Sequence, residues 1–328
     1  MVVSRRVPGT LSPKGPGVQV SPTLFASHFP LRPEELALYD ARFHPHNTQY
    51  LVPAGLRAVA HARENPDCVT SGLSALAVLG LPFLVNSCDT TMNTPLDRRD
   101  REWGLVRRRR KAKSTWIVIW NGLELRVSAP QDAVVEALQD IRDGIHRWSS
   151  PTWIADPLLL WAVQLVDASR RYLGIAPESI LEAARGRLNR RWISSVVRLS
   201  SAHADSPKET EMRLLCVAFT GSPQLIVNPE WARVAVRLRA LKLEIKEQVP
   251  LYDGSRLITT FDLALVNLKI AVMYDGEHHL ARDQRDKDFR INVECQLMGW
   301  TVIRVSAGTL HDLPRVLLAL LREKGSLV

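Results

Sequence analysis

Residues 259–279 read TTFDLALVNLKIAVMYDGEHH, two short apolar runs joined by a tighter, more polar link and closed by a dense group of Asp, Glu and His. Runs of this length, rich in β-branched and aromatic residues and ended by Asp-Gly, read as strands. In 268–274 the even positions Leu268, Ile270, Val272 and Tyr274 are apolar and are expected to face the core. Asp275 then shares the opposite face with Met273. In 261–265, Phe261, Leu263 and Leu265 share one face, and Asp262 and Ala264 share the other. Asp262 interrupts an otherwise apolar strand, where Asp is disfavoured. If the two strands are neighbours, Asp262 and Asp275 converge on one side of the sheet.

The surrounding sequence supplies the rest of an α/β layer. Upstream, LEIKEQVPLY runs into the Asp253-Gly254 turn, which makes three strands in a meander. Before them, SPKETEMRLLCVAFTG predicts a helix with Ser206 ahead of it, Pro207 at its start, Glu209 in its first turn and Gly221 at its end. EWARVAVRLRA predicts a second helix. Downstream come a polar helix over about 286–297, the strand WTVIRVSA and the closing helix HDLPRVLLALLREKG. The order is helix, helix, three strands, helix, strand, helix around one mixed sheet.

A pair of carboxylates converging at a strand end suits a divalent metal. Mg²⁺ takes oxygen ligands, often one or two carboxylates with waters and a substrate phosphate, and it activates water and offsets phosphodiester charge. Glu209 could add a third carboxylate, and His279 could move a proton or touch a phosphate. Each residue also has a plain structural reading. Asp262 could cap a strand edge or pair with Lys269, Asp275 could serve the turn before Gly276, Glu209 suits a helix first turn, and the His pair could be exposed loop residues.

The first half reads as a small α+β domain. STWIVIWNGLELRVSA is a hairpin turning at Asn121-Gly122. PQDAVVEALQDIRD is a helix with an apolar face at Val134, Val135 and Leu138. Residues 1–33 contain no Asp or Glu and are rich in Pro and Gly, and are expected to form a disordered basic arm without the apolar core of a signal peptide. The expected organisation is this arm, a winged-helix-like α+β domain over 34–150, a helical connector over 151–205 and the α/β domain over 206–328. No apolar run approaches the roughly 20 residues of a membrane span. Four scattered cysteines with no Cys-x-x-Cys pair argue against a zinc ribbon or disulfide scaffold, so the cytoplasm is the expected compartment. The net charge of +9 favours a polyanionic partner, with nucleic acid first.

The stretch from Ser206 to about Leu321 resembles endonuclease-like proteins related to very-short-patch repair nucleases, within the PD-(D/E)XK restriction-endonuclease superfamily. SPKETEMRLL is similar to the family's opening helix, with Glu209 at its acidic position and Arg213 at its basic one. TFDLAL places Asp262 at the metal-binding Asp. AVMYDGEHH is similar to the following Glu-x-Asp-Gly-x-x-His motif. Asp275, Gly276 and His279 match it, and Met273 stands where the Glu would be. DKDFRINVECQLMGWTVIRVS is similar to the closing helix and strand. VTSGLSALAVLGLP and LELRVSAPQDAVVEAL carry a weaker similarity to an abortive-infection antitoxin-like winged-helix region.

The resemblance implies a restriction-endonuclease-like mixed sheet flanked by helices. It implies a metal-dependent DNA endonuclease using Mg²⁺ or Mn²⁺, in phage defence or repair, with Glu209, Asp262, Asp275 and His279 at its site. A thioether is a poor Mg²⁺ ligand, so Glu277 would supply the oxygen that Met273 lacks. The alternative is a domain that keeps the fold and DNA affinity without cleavage. The basic run RRDREWGLVRRRRKAK, with Arg107, Arg108, Arg109, Arg110, Lys111 and Lys113, is expected to contact DNA phosphates, with Arg290 and Arg304 beside the site. A solvated strand edge is the competing reading of that run. ARGRLNRRW is a second basic segment, equally well read as a helix packing through Trp192. The oligomeric state stays open between monomer and homodimer.

Overall fold

The computed structural model describes residues 2–4, 8–94, 98–100, 102–109, 112–240, 243–275 and 282–324; for 4, 98–100, 234, 237–238, 240 and 282–288 it describes the backbone alone. The chain is a mixed α and β protein and divides into two units, Met1–Ser149 with Trp161–Ala202, and Ser150–Leu160 with His203–Val328.

The first unit runs β1 (Val2–Ser4), β2 (Thr10–Ser12), β3 (Val18–Gln19), β4 (Phe25–Ser27), α1 (Glu34–Ala41), α2 (Ala54–Glu64), β5 (Val69–Thr70) and α3 (Gly72–Val78). It continues with β6 (Thr90–Thr94), β7 (Arg98–Asp100), β8 (Leu105–Arg109), β9 (Thr115–Trp120), β10 (Leu123–Ser128) and α4 (Pro130–Arg142). α5 (Pro157–Leu173) starts in the stretch belonging to the second unit, and α6 (Pro177–Ala183) and α7 (Arg190–Leu199) follow. The expected hairpin is β9–β10. Asn121 and Gly122 take positive φ at +47° and +80°, as a two-residue turn closing Trp120 onto Leu123 requires. Val118, Leu125 and Val127 fill the buried face of that hairpin.

Three expectations for this half are corrected. The described residues of 1–33 are not an arm: β1 pairs in parallel with β9, and β2, β4 and β3 form a small antiparallel sheet with Leu11, Leu24 and Ala26 buried. Its Gly residues serve geometry, since a Cβ on Gly17 would sit 2.3 Å from the Ala26 carbonyl oxygen. The β part is also no hairpin wing but a seven-stranded mixed sheet in the order β1-β9-β10-β5-β6-β8-β7. The 151–205 stretch is not a separate connector, because 161–202 belongs to the first unit. The tie is ionic: Arg187 donates to Asp132 on α4 at 2.6 Å and stands 3.8 Å from Glu136.

The second unit runs α8 (Pro207–Thr220), α9 (Pro229–Ala240), β11 (Lys246–Asp253), β12 (Arg256–Leu265), β13 (Ile270–Tyr274), α10 (Arg282–Leu297), β14 (Thr301–Val305) and α11 (Leu313–Glu323). This is the element order read from the sequence. β11, β12 and β13 are antiparallel neighbours, and α10 carries the chain across to β14, parallel to β13. Trp153 and Ala155 from the 150–160 stretch bond to Val227 and Leu225, adding a short antiparallel bridge. One core cluster gathers Leu251, Phe261, Ala264, Ala271, Cys295 and Trp300, with the Phe261 and Trp300 rings 4.7 Å apart. Met273 packs against it. The odd face of β13, expected to end polar, is apolar through Ala271 and Met273 and turns polar at Asp275.

Candidate functional site at the end of strand β13

β12 and β13 share only three paired positions, Leu265 with Ile270, Ala264 with Ala271 and Leu263 with Val272. Beyond them β12 stays with β11 and β13 stays with β14. Asp262 sits where the two strands part, and its Oδ2 accepts the Tyr274 backbone N–H at 2.8 Å. The side chain thus takes a bond that a continuing ladder would have given to backbone. This is the strand-capping reading of Asp262 realised, with no bond to Lys269, whose ammonium donates to the Met298 carbonyl.

Asp275 follows directly on β13. Its N–H donates to the Val305 carbonyl at 2.7 Å, so β14 holds its backbone. Its Oδ1 accepts from Arg304 Nη1 at 2.7 Å, and Arg304 Nε donates to Asn292 Oδ1 on α10 at 3.2 Å. Arg304 is therefore a partner of the candidate site rather than a free phosphate contact. Glu209 completes a capping box: the Ser206 hydroxyl accepts the Glu209 N–H at 3.2 Å, and the Glu209 carboxylate accepts from the Ser206 hydroxyl and the Asp205 N–H.

The carboxylates sense one another. Burial pushes the Asp262 carboxyl above the usual carboxylate range. The Tyr274 N–H opposes that, the charges of Asp205 and Asp275 reinforce it, and Arg304 lowers it. Burial likewise raises Glu209, against the Asp205 N–H and with the charge of Asp262. Asp262 thus feels the charge of Asp275, and Glu209 feels that of Asp262. Asp205, which the sequence reading passed over as a residue ahead of the helix cap, joins them. Glu209 and Asp262 also line a crevice of about 10 Å³, near the room one water needs.

Among the described residues, no three His, Cys, Asp or Glu side chains are placed to hold a metal ion. The donor chemistry of the Asp pair nonetheless fits a hard cation. Among the described residues, Asp262 Oδ1 and Asp275 Oδ2 take part in no hydrogen bond, and both are carboxylate oxygens. Glu277 and His279 lie outside the described residues.

The basic residues fare differently. Arg107 donates to Asn65 at 2.8 Å, and Arg108 stands 3.3 Å from Asp140, so both serve the first unit's own structure. Arg109, Lys113 and Arg290 are exposed, and Arg110 and Lys111 lie outside the described residues. No described helix is long and apolar enough to cross a membrane. No protein-family model, curated protein or solved structure matches the chain.

Proposed function

We propose that the second unit is a metal-dependent DNA endonuclease of the restriction-endonuclease-like kind. The observation that carries this reading is that Asp262, where β12 and β13 part, accepts the Tyr274 N–H one residue before Asp275, with the charge of a partly buried Glu209 coupled to it. Asp262 and Asp275 would hold Mg²⁺ or Mn²⁺, with Glu277, which follows them in the sequence, as the third oxygen donor in place of Met273. Bound there, the ion supplies a lowered water pKa and positive charge against the scissile phosphate. Arg304 holds the Asp275 carboxylate in place from β14, and the Tyr274 N–H holds that of Asp262. Glu209 is held by the Ser206 hydroxyl and the Asp205 N–H, and burial raises its carboxyl.

A second reading has its own observation. Met273 packs into the apolar cluster, on the strand position where the family pattern carries Glu. On this reading the fold binds DNA without cutting it. Incubation of supercoiled plasmid and single-stranded DNA with the protein and Mg²⁺ or Mn²⁺ separates the two. We expect nicking that falls by roughly 100-fold or more in Asp262→Ala and in Asp275→Ala, above the cost typical of outer-shell metal partners. Cleavage that survives both substitutions would sink the site, and DNA binding with no cutting under either metal would favour the second reading.

A further inference from the structure

We propose that the exposed face of α7 is a binding surface for the phosphate backbone of duplex DNA, an inference that rests on the DNA reading given above. α7 reads RRWISSVVRL and contains no acidic residue. Its faces separate cleanly. Ile193 and Val196 are buried, while Arg190, Arg191, Ser194 and Arg198 are exposed. At 100° per residue those four positions fall within about 100° of arc, on the side away from Val196. Among the described residues, Arg190, Arg191 and Arg198 have no ion pair or hydrogen-bond partner. Their neighbours are committed: Arg185 pairs with Glu182 at 2.8 Å, Arg187 with Asp132, and Arg170 with the Ser200 hydroxyl.

The placement of two of these arginines also runs against helix stability. Arg190 and Arg191 occupy the first turn, where the helix dipole disfavours cations, and Asn189 already caps the Trp192 N–H. An anion bound there removes the conflict. Arg190 and Arg198 are eight residues apart, about 12 Å along a helix axis, close to the major-groove width of about 12 Å. Guanidinium groups at that separation can reach phosphates on both lips of the groove, with bidentate geometry that suits phosphate oxygens. The more conspicuous run at 98–113 has instead spent Arg107 and Arg108 on Asn65 and Asp140.

The test is fluorescence anisotropy of the full chain with a labelled duplex in EDTA, across a salt series. Neutralising each phosphate contributes about 0.9 to the slope of log affinity against log salt. The triple variant Arg190→Ala, Arg191→Ala, Arg198→Ala should lower that slope by between about two and three and weaken binding at least ~10-fold. The matching triple Lys variant should keep the slope, Arg185→Ala should leave it unchanged, and the melting temperature of each variant should match or exceed wild type. An unchanged slope in the Ala triple overturns the proposal. So does a wild-type protein that binds no duplex at low salt, or one from which single-stranded RNA displaces duplex more readily than duplex itself does. Plasmid nicking is read separately. A protein that binds through α7 and never cuts contradicts the nuclease reading alone, and one that cuts with an unchanged slope in the Ala triple contradicts this inference alone.

Discussion

Met273 is the residue on which the site turns. Its thioether packs against the cluster of Phe261, Ala271, Cys295 and Trp300, and in the ladder it lies opposite Arg304. A carboxylate there would be half-buried against apolar groups and would compete with Asp275 for the Arg304 guanidinium. Met273→Glu should therefore lose stability, by about 1–3 kcal/mol, the usual scale for an imperfectly paired buried polar group. Thermal melting checks this, and an unchanged or higher melting temperature would show that the position tolerates the family's Glu. Asp262 was legible in the sequence because an acid in an apolar strand is conspicuous. The Asp275–Arg304 pair was not, because it depends on the parallel register between β13 and β14, which the α10 crossover sets. Asp205 was not legible because its influence on Asp262 depends on the fold, which sequence spacing does not give.

Among the elements, α2 shows how a sequence pattern can mislead. Its segment AGLRAVAHARE mixes Arg and His with Ala, yet Gly55 through Ala62 are all buried. Arg57 is satisfied by the carbonyls of Val52, Asn86 and Cys88 and stacks on the Tyr50 ring. His61 is buried and donates from Nε2 to the Trp103 carbonyl, and burial lowers its pKa from 6.5 to about 4. The unfolded chain thus takes up a proton near pH 6.5 that the folded chain refuses until about pH 4. The resulting stability is complete above pH 6.5 and is lost as pH falls toward 4, with a slope of at most about 1.4 kcal/mol per pH unit. His61→Gln, which keeps an N–H for the Trp103 carbonyl, should melt with a shallower acid dependence across that window. Equal slopes in the two proteins would contradict a neutral buried His61. On α4 the periodicity gave Val134, Val135 and Leu138 correctly, while the burial of Asp132 and Asp140 depends on Arg187 and Arg108 and that of Glu136 on the Gly72 N–H and Asn93, all distant in sequence.

For the whole molecule, the second unit was the more readable half. Its elements are runs of five to sixteen residues, punctuated by Asp253-Gly254, Gly221 and Gly299, and its connections leave few ways to order them. The first unit's sheet includes strands of only two or three residues, such as β1, β5 and β7, too short to show alternation, and its order emerges only from long-range pairing. The net charge of +9 pointed to a polyanion, but not to which arginines remain unpaired once the chain has folded. The central claim is that Asp262 and Asp275 share a cation. Crystals grown with Mn²⁺ and measured at its absorption edge test it most directly. The account predicts an anomalous peak within bonding reach of both carboxylates, absent in Asp262→Ala. A map from wild-type crystals with no peak there, or with Mn²⁺ bound only elsewhere, would contradict it.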